Sequence, residues 1–187
     1  MTDHAGTDLD KQRLVAALRS ILPPQAVIHD TEALRPYECD GLSAYRQIPL
    51  VAVLPESQDQ VVQIMQLCHR YRIPVVARGA ATGLSGGALP LADGVLLSLA
   101  KFNRILEIDP AGRSARVEPG VRNLAISEAA APLGLYYAPD PSSQIACTIG
   151  GNVAENSGGV HCLKYGMTVH NILQLKIVTM EGELLTI

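Results

Sequence analysis

The sequence predicts an α+β fold in two lobes. Three observations lead there: a strand–helix–strand unit over residues 50–77, a run of short strands after it, and two glycine-rich segments about sixty residues apart. The first segment is Pro74-Val-Val-Ala-Arg-Gly-Ala-Ala-Thr-Gly-Leu-Ser-Gly-Gly-Ala88, and the second runs from Pro139 to Gly159. Each surrounds exposed backbone N–H groups with small residues and side-chain oxygens, which is how proteins hold phosphates. Two such segments predict a large dinucleotide held between two lobes.

The elements follow in order. Residues 8–22 form an amphipathic helix with Leu14, Leu18, Ile21 and Leu22 on one face, stopped by Pro23-Pro24. A short strand is expected at 27–29, and the Pro-, Asp- and Gly-containing stretch 36–49 wraps the surface. Residues 50–54 are a continuous apolar strand ended by Pro55. Ser57 caps the next helix and Gln60 completes a capping box. Val61, Ile64, Met65, Leu67 and Cys68 are its buried face, and it ends near Arg72. A second strand over 73–77 completes a right-handed βαβ unit with parallel strands. The first glycine segment leaves the end of that strand, where open α/β sheets bind ligands.

Further strands are expected at 94–99, 104–109 and 115–118, the last two joined as a hairpin through Pro110-Ala-Gly-Arg113. Asn123 is placed as the cap of a helix running to Ala131, ended by Pro132 and Gly134. After the second glycine segment, strands at 172–180 and 183–187 meet at Glu181-Gly182. The domain reading is an N-terminal helical extension over 1–45 and a ligand-binding domain over 46–187, its first lobe about 46–112 and its second about 113–187. The chain stops at Ile187 inside a strand, so the second lobe is expected to be incomplete and the chain a fragment.

Composition narrows the function. Of 187 residues, 48% are apolar and 18% charged, enough for a packed core. A net charge of −3 with scattered Lys and Arg excludes a basic nucleic-acid surface. The longest apolar runs are too short to span a bilayer. Acidic residues at the N-terminus do not read as a secretory signal, and four cysteines without a CxxC pair suit a reduced, cytoplasmic protein.

Residues 78–87 fit neither the G-x-G-x-x-G fingerprint nor the P-loop. They offer free N–H groups plus the hydroxyls of Thr82 and Ser85, and the bland alternative is a flexible loop. Gly83-Leu-Ser85-Gly-Gly87 matches the hydrolase elbow G-x-S-x-G, but Pro90 and Gly94 argue against the helix that motif needs. In the second segment Asp140 and Thr148 suit hydrogen bonds to a ligand, and Gly150-Gly151-Asn152 allows close backbone approach. Asn152 and Asn156 either read a ring edge or form turns. Cys147, His161, Cys162 and His170 match no zinc spacing, so no metal site is assigned.

Three stretches together, Arg78-Gly-x-x-Thr-Gly-x-Ser-Gly-Gly87, Pro139-Asp-Pro-Ser-Ser143 and Ile149-Gly-Gly-Asn-Val-Ala-Glu-Asn-Ser-Gly-Gly-Val-His-Cys-Leu-Lys-Tyr-Gly166, resemble the FAD-binding domain of the vanillyl-alcohol oxidase and p-cresol methylhydroxylase superfamily. Within it the chain is most similar to the flavoprotein subunit of bacterial glycolate oxidase, with the D-lactate and D-2-hydroxyglutarate dehydrogenases nearby. The resemblance spans nearly all of the chain and is weakest before residue 30. It implies two α+β lobes with FAD between them. It assigns Arg78, Gly79, Thr82, Gly83, Leu84, Ser85, Gly86 and Gly87 to the FAD pyrophosphate. Pro139, Asp140, Thr148, Gly150, Gly151, Asn152, Asn156, Gly159 and Gly166 would line the rest of the cofactor. Some relatives carry a flavin-linked histidine where this chain has Thr82, so FAD is expected to be non-covalent. The reaction implied is oxidation of a small 2-hydroxy acid to the 2-oxo acid, with hydride passing to the flavin. Partner subunits, one with iron–sulfur clusters, would take the electrons and would be the only route to the inner membrane. Catalytic residues and any divalent metal would lie beyond Ile187, and no catalytic residue is assigned here. The other reading is a non-catalytic FAD-fold module serving assembly of an oxidase complex.

Overall fold

A computed structural model describes residues 10–187. Helix α1 (Lys11–Ile21) starts at Asp10, whose carboxylate accepts from the Gln12 N–H at 3.2 Å. The first two residues of the helix predicted over 8–22 lie outside the described residues. Pro24–Ala26 form a 3-10 turn, and strand β1 (Val27–Ile28) follows. Helix α2 (Thr31–Leu34) is capped by Asp30 and runs into a 3-10 turn at Arg35–Tyr37. The sequence reading left this stretch without helix, because one turn carries no apolar periodicity.

Strand β2 (Val51–Val53) leads to helix α3 (Gln58–Tyr71), whose Ser57–Gln60 capping box is formed as read. Ile64, Met65 and Cys68 are buried, and Arg72 ends the helix in the left-handed region at φ 54°. Strands β3 (Val75–Arg78) and β4 (Val95–Ser98) complete a sheet in the order β1-β2-β4-β3. β2 and β3 are parallel, as predicted, but β4 lies between them and pairs with both. The reason is burial: every residue of β4 is buried, so it takes a central position covered on both faces.

The two-residue period of the strands divides the core. Val51, Val53, Val95 and Leu97 face α1 and α3, joining Leu14, Leu18, Ile64 and Cys68. Ala52 and Leu96 face the other way, against Leu34, Tyr37 and Ile48. Residues 10–48 therefore close both faces of the first sheet and supply its edge strand.

Strands β5 (Ile105–Asp109) and β6 (Ser114–Val117) form the predicted hairpin. Helix α4 (Asn123–Ala130) and helix α5 (Ile149–Glu155) pack on it through Val121, Ile126 and Ile149. Ile105 and Val117 of the hairpin pack against that cluster. Asn123 is not a cap: it is the first helical residue, fully buried, and its amide donates to the Pro139 carbonyl at 3.0 Å. The carbonyls of Gln144 and Cys147 take the N–H groups that a cap would have served. Helix α6 (Cys162–Tyr165) precedes the hairpin of β7 (Lys176–Val178) and β8 (Leu184–Thr186). Val178 reaches the first-lobe core, and the turn at Gly182 sits on α3 against the Val62 carbonyl and Gln66.

Leu96→Ala empties a fully buried site in the central strand. The expected cost is about 3 kcal/mol, read as a lower urea midpoint by circular dichroism.

Candidate cofactor site

The two glycine segments meet. A Cβ on Gly79 would lie 2.3 Å from the Thr148 Oγ1 and 3.8 Å from the Gly151 nitrogen. Farther along, Cβ atoms on Gly83 and Gly87 would come to 3.2 and 3.1 Å from a Glu155 carboxylate oxygen. The first segment therefore runs beside α5 from its beginning to its end, and backbone without side chains is what allows that approach.

Within the first segment, Ala81 is left-handed at φ 56° and Gly86 at φ 76°. Gly86 has open space where a side chain would go, so it is required for its torsion and for what approaches it. Leu84 and Ser85 are exposed at the tip, and the hydroxyls of Thr82 and Ser85 make no hydrogen bond among the described residues. No helix follows Ser85, which removes the hydrolase elbow.

Arg78 points away from this loop. Its Nη1 donates to the Tyr37 carbonyl at 2.8 Å and its Nη2 to the Cys39 carbonyl. The side chain is buried, which pulls its pKa below the ordinary value, while Cys39, Asp40 and Tyr37 push it back up. Its guanidinium holds residues 37–39 to the base of the loop.

In the second segment Pro139 is fixed through its carbonyl by Asn123. Asp140 pairs with the His161 ring at 2.7 Å and accepts weakly from the His161 N–H at 3.4 Å. The His161 hydrogen bond holds the Asp140 carboxyl below its ordinary pKa. A Cβ on Gly159 would collide with that same carboxylate at 2.1 Å. Asp140 thus clasps the 159–161 turn onto residues 139–141. Asn156 ends α5 at φ 51°, and its side-chain oxygen accepts from the Val169 N–H at 3.0 Å, a turn-forming role. Gly166 combines φ 79° with a His170 ring 2.8 Å from any Cβ. Gly150 packs on Pro119, where its own N–H bonds the carbonyl at 2.8 Å.

Thr148 and Asn152 differ from these. Both are buried, and the Thr148 Oγ1 and Asn152 Nδ2 have no partner. Buried polar atoms left unpaired are costly. Thr148 lies where the segments converge, against Gly79, and Asn152 stands one turn further along α5.

No group of three His, Cys, Asp or Glu residues suited to a metal occurs among the described residues. The four cysteines are free, and burial pushes the Cys68 thiol up to about 12, leaving it unreactive at neutral pH. An apolar depression of about 420 Å³ between Val153, Leu173 and Ile187 involves none of the predicted ligand residues.

A family model described as an FAD binding domain matches residues 49–187. The chain belongs to that family. It is 63% identical over 185 residues to the glycolate oxidase subunit GlcD of Escherichia coli (strain K12), covering 99% of this chain and 37% of that protein. It is 40% identical over 149 residues to the subunit of the same name from Bacillus subtilis (strain 168), covering 80% and 32%. It is 34% identical over 172 residues to the D-lactate dehydrogenase of Anaerostipes hadrus, covering 91% and 36%. The chain thus spans little more than a third of the curated relatives it matches. Its fold is shared with p-cresol methylhydroxylase, at TM-score 0.79 and 23% identity over 97% of this chain and 36% of the other. It is likewise shared with alkyldihydroxyacetonephosphate synthase, at TM-score 0.83 and 22% identity over 94% and 35%. This is the two-lobed α+β architecture that the sequence reading expected. The site's chemistry suits FAD: a glycine cradle open at Gly86, two unpaired hydroxyls beside it, and the unpaired Thr148 and Asn152 atoms.

The Asp140–His161 clasp has a pH signature. A carboxyl depressed on folding stabilises the fold above its unfolded pKa, and that contribution disappears as pH falls below about 4. Asp140→Asn should lower stability at neutral pH by about 1 kcal/mol or less. It should also flatten the loss of stability as pH falls through and below the ordinary aspartate range in urea titrations.

Proposed function

We propose that this chain is the FAD-holding part of a flavoprotein that oxidises a small 2-hydroxy acid, of glycolate or D-lactate type, to the 2-oxo acid. The observation that carries this is the 63% identity to a glycolate oxidase subunit over nearly the whole chain. The meeting of the two glycine segments at Gly79 and Thr148 supports it, because both motifs of the resemblance then serve one ligand.

In this reading the backbone of 83–87, with the hydroxyls of Thr82 and Ser85, takes the pyrophosphate. Thr148, Asn152 and the backbone at Gly150 and Gly151 meet the remainder. Arg78, Pro139, Asp140, Asn156, Gly159 and Gly166 act by shaping these walls, since their side chains or torsions are committed within the protein. Threonine at 82 leaves no imidazole for a flavin bond, so the cofactor is held non-covalently. When bound, FAD supplies the two-electron acceptor that oxidation of a 2-hydroxy acid requires. The residues of this chain bind and orient the cofactor. Substrate capture, the proton-accepting base and any divalent metal belong to the rest of a longer protein.

The bacterial relatives from Escherichia coli and Bacillus subtilis are named as subunits of glycolate oxidase. We extend it to partner subunits that accept electrons, one through iron–sulfur clusters, with a cytoplasmic location and any membrane contact made through those partners. No helix among the described residues is long and apolar enough to cross a membrane.

Purified chain incubated with FAD should turn yellow and quench flavin fluorescence. Gly86→Val should weaken this at least tenfold, because a β-branched residue resists φ 76° and would stand in the ligand's path. Wild-type affinity in that variant would rule out the loop as the cradle. The FAD-loaded chain alone should show no glycolate-dependent dye reduction.

A further inference from the structure

We propose that Gly41 is a positioning residue that presets the cofactor loop by aiming two successive amides outward. The proposal rests on the reading of 79–87 as the pyrophosphate cradle and adds to it a part that no ligand touches.

A Cβ on Gly41 would lie 2.8 Å from the carbonyl oxygens of both Thr82 and Gly83, and 3.1 Å from the Thr82 carbonyl carbon. These are backbone atoms, so any side chain at 41 must move the loop itself. Gly41 is not among the positive-φ glycines. It is therefore needed for space and not for torsion. In a planar trans peptide the C=O and the following N–H point in opposite directions. With the carbonyls of Thr82 and Gly83 packed inward on Gly41, the N–H groups of Gly83 and Leu84 face the other side. Neither N–H has an acceptor among the described residues. Two adjacent free amides on one side of the loop offer an anion two donors.

Gly41 is itself held in place. Arg78 fastens the carbonyls of Tyr37 and Cys39 to the base of the loop, and the buried Asp40 accepts from the Leu42 N–H at 2.9 Å. Ala81 sits between these anchors in the left-handed region, a conformation that an L-residue keeps only where its surroundings fix it on both sides. The loop is thus gripped at Arg78 and at residues 82–83, and the segment 37–41 joins the two grips.

The test compares ADP, which carries the pyrophosphate, with AMP, which does not. The wild-type chain should bind ADP at least tenfold more tightly than AMP, with the largest amide shifts of the labelled protein at Gly83 and Leu84. Gly41→Ala should bring the ADP and AMP affinities within twofold of each other and weaken FAD at least tenfold. Loss of overall stability alone would weaken both nucleotides equally and leave their ratio unchanged. If Gly41→Ala keeps wild-type FAD affinity and the ADP preference while Gly86→Val loses both, the Gly41 proposal falls and the cradle stands. If Gly86→Val also binds as wild type, the cradle reading fails. Should Gly41→Ala not fold, the wild-type shifts decide: ADP-induced shifts lying elsewhere than Gly83 and Leu84 overturn the proposal.

Discussion

The approach of Gly79 to Thr148 joins what the chain order keeps apart. Gly79 begins the loop that leaves β3, the edge strand opposite β1 in the first sheet, and Thr148 precedes α5 in the second lobe. At a separation that admits no Cβ, the two lobes share one wall. Everything proposed about the cofactor depends on this contact, because it makes two phosphate-type loops into a single cleft.

Around that contact the structure uses its polar side chains mostly from behind. Arg78, Asn123, Asp140 and Asn156 each bond backbone or side-chain groups of the protein itself. Each tie joins residues distant in sequence. The surface left for a ligand is then largely backbone N–H, with a few hydroxyl and amide groups. That arrangement suits a phosphate-bearing cofactor, because preset amides need no reorganisation when the anion arrives.

Much of the fold was legible in local sequence. The Ser57–Gln60 box, the α3 apolar face and the 104–118 hairpin are short-range signals, and they are formed where read. What was not legible depends on partners far along the chain. The insertion of β4 between β2 and β3 is decided by burial on two faces, which an apolar run of four residues does not reveal. Helix α5 contains Gly150 and Gly151, poor helix formers. It forms where the Val121 and Pro119 carbonyls take the first N–H groups, at 2.9 and 2.8 Å. Asn123 has the composition of a cap, but its burial turns the amide to Pro139. In the site, the glycine spacing of the two segments was visible, whereas Gly41 lay in a stretch read only as surface wrapping. The committed geometry of Arg78, the nearness of Glu155 and the Asp140–His161 pair were not, because each is set by tertiary contact.

The central claim is that both glycine segments close on one FAD molecule. Amide hydrogen exchange of the chain with and without FAD tests it most directly. Slower exchange is expected in residues 79–87 and in residues 148–166 together, saturating at the same FAD concentration. Protection confined to one segment, or appearing at two different concentrations, would contradict a shared cleft.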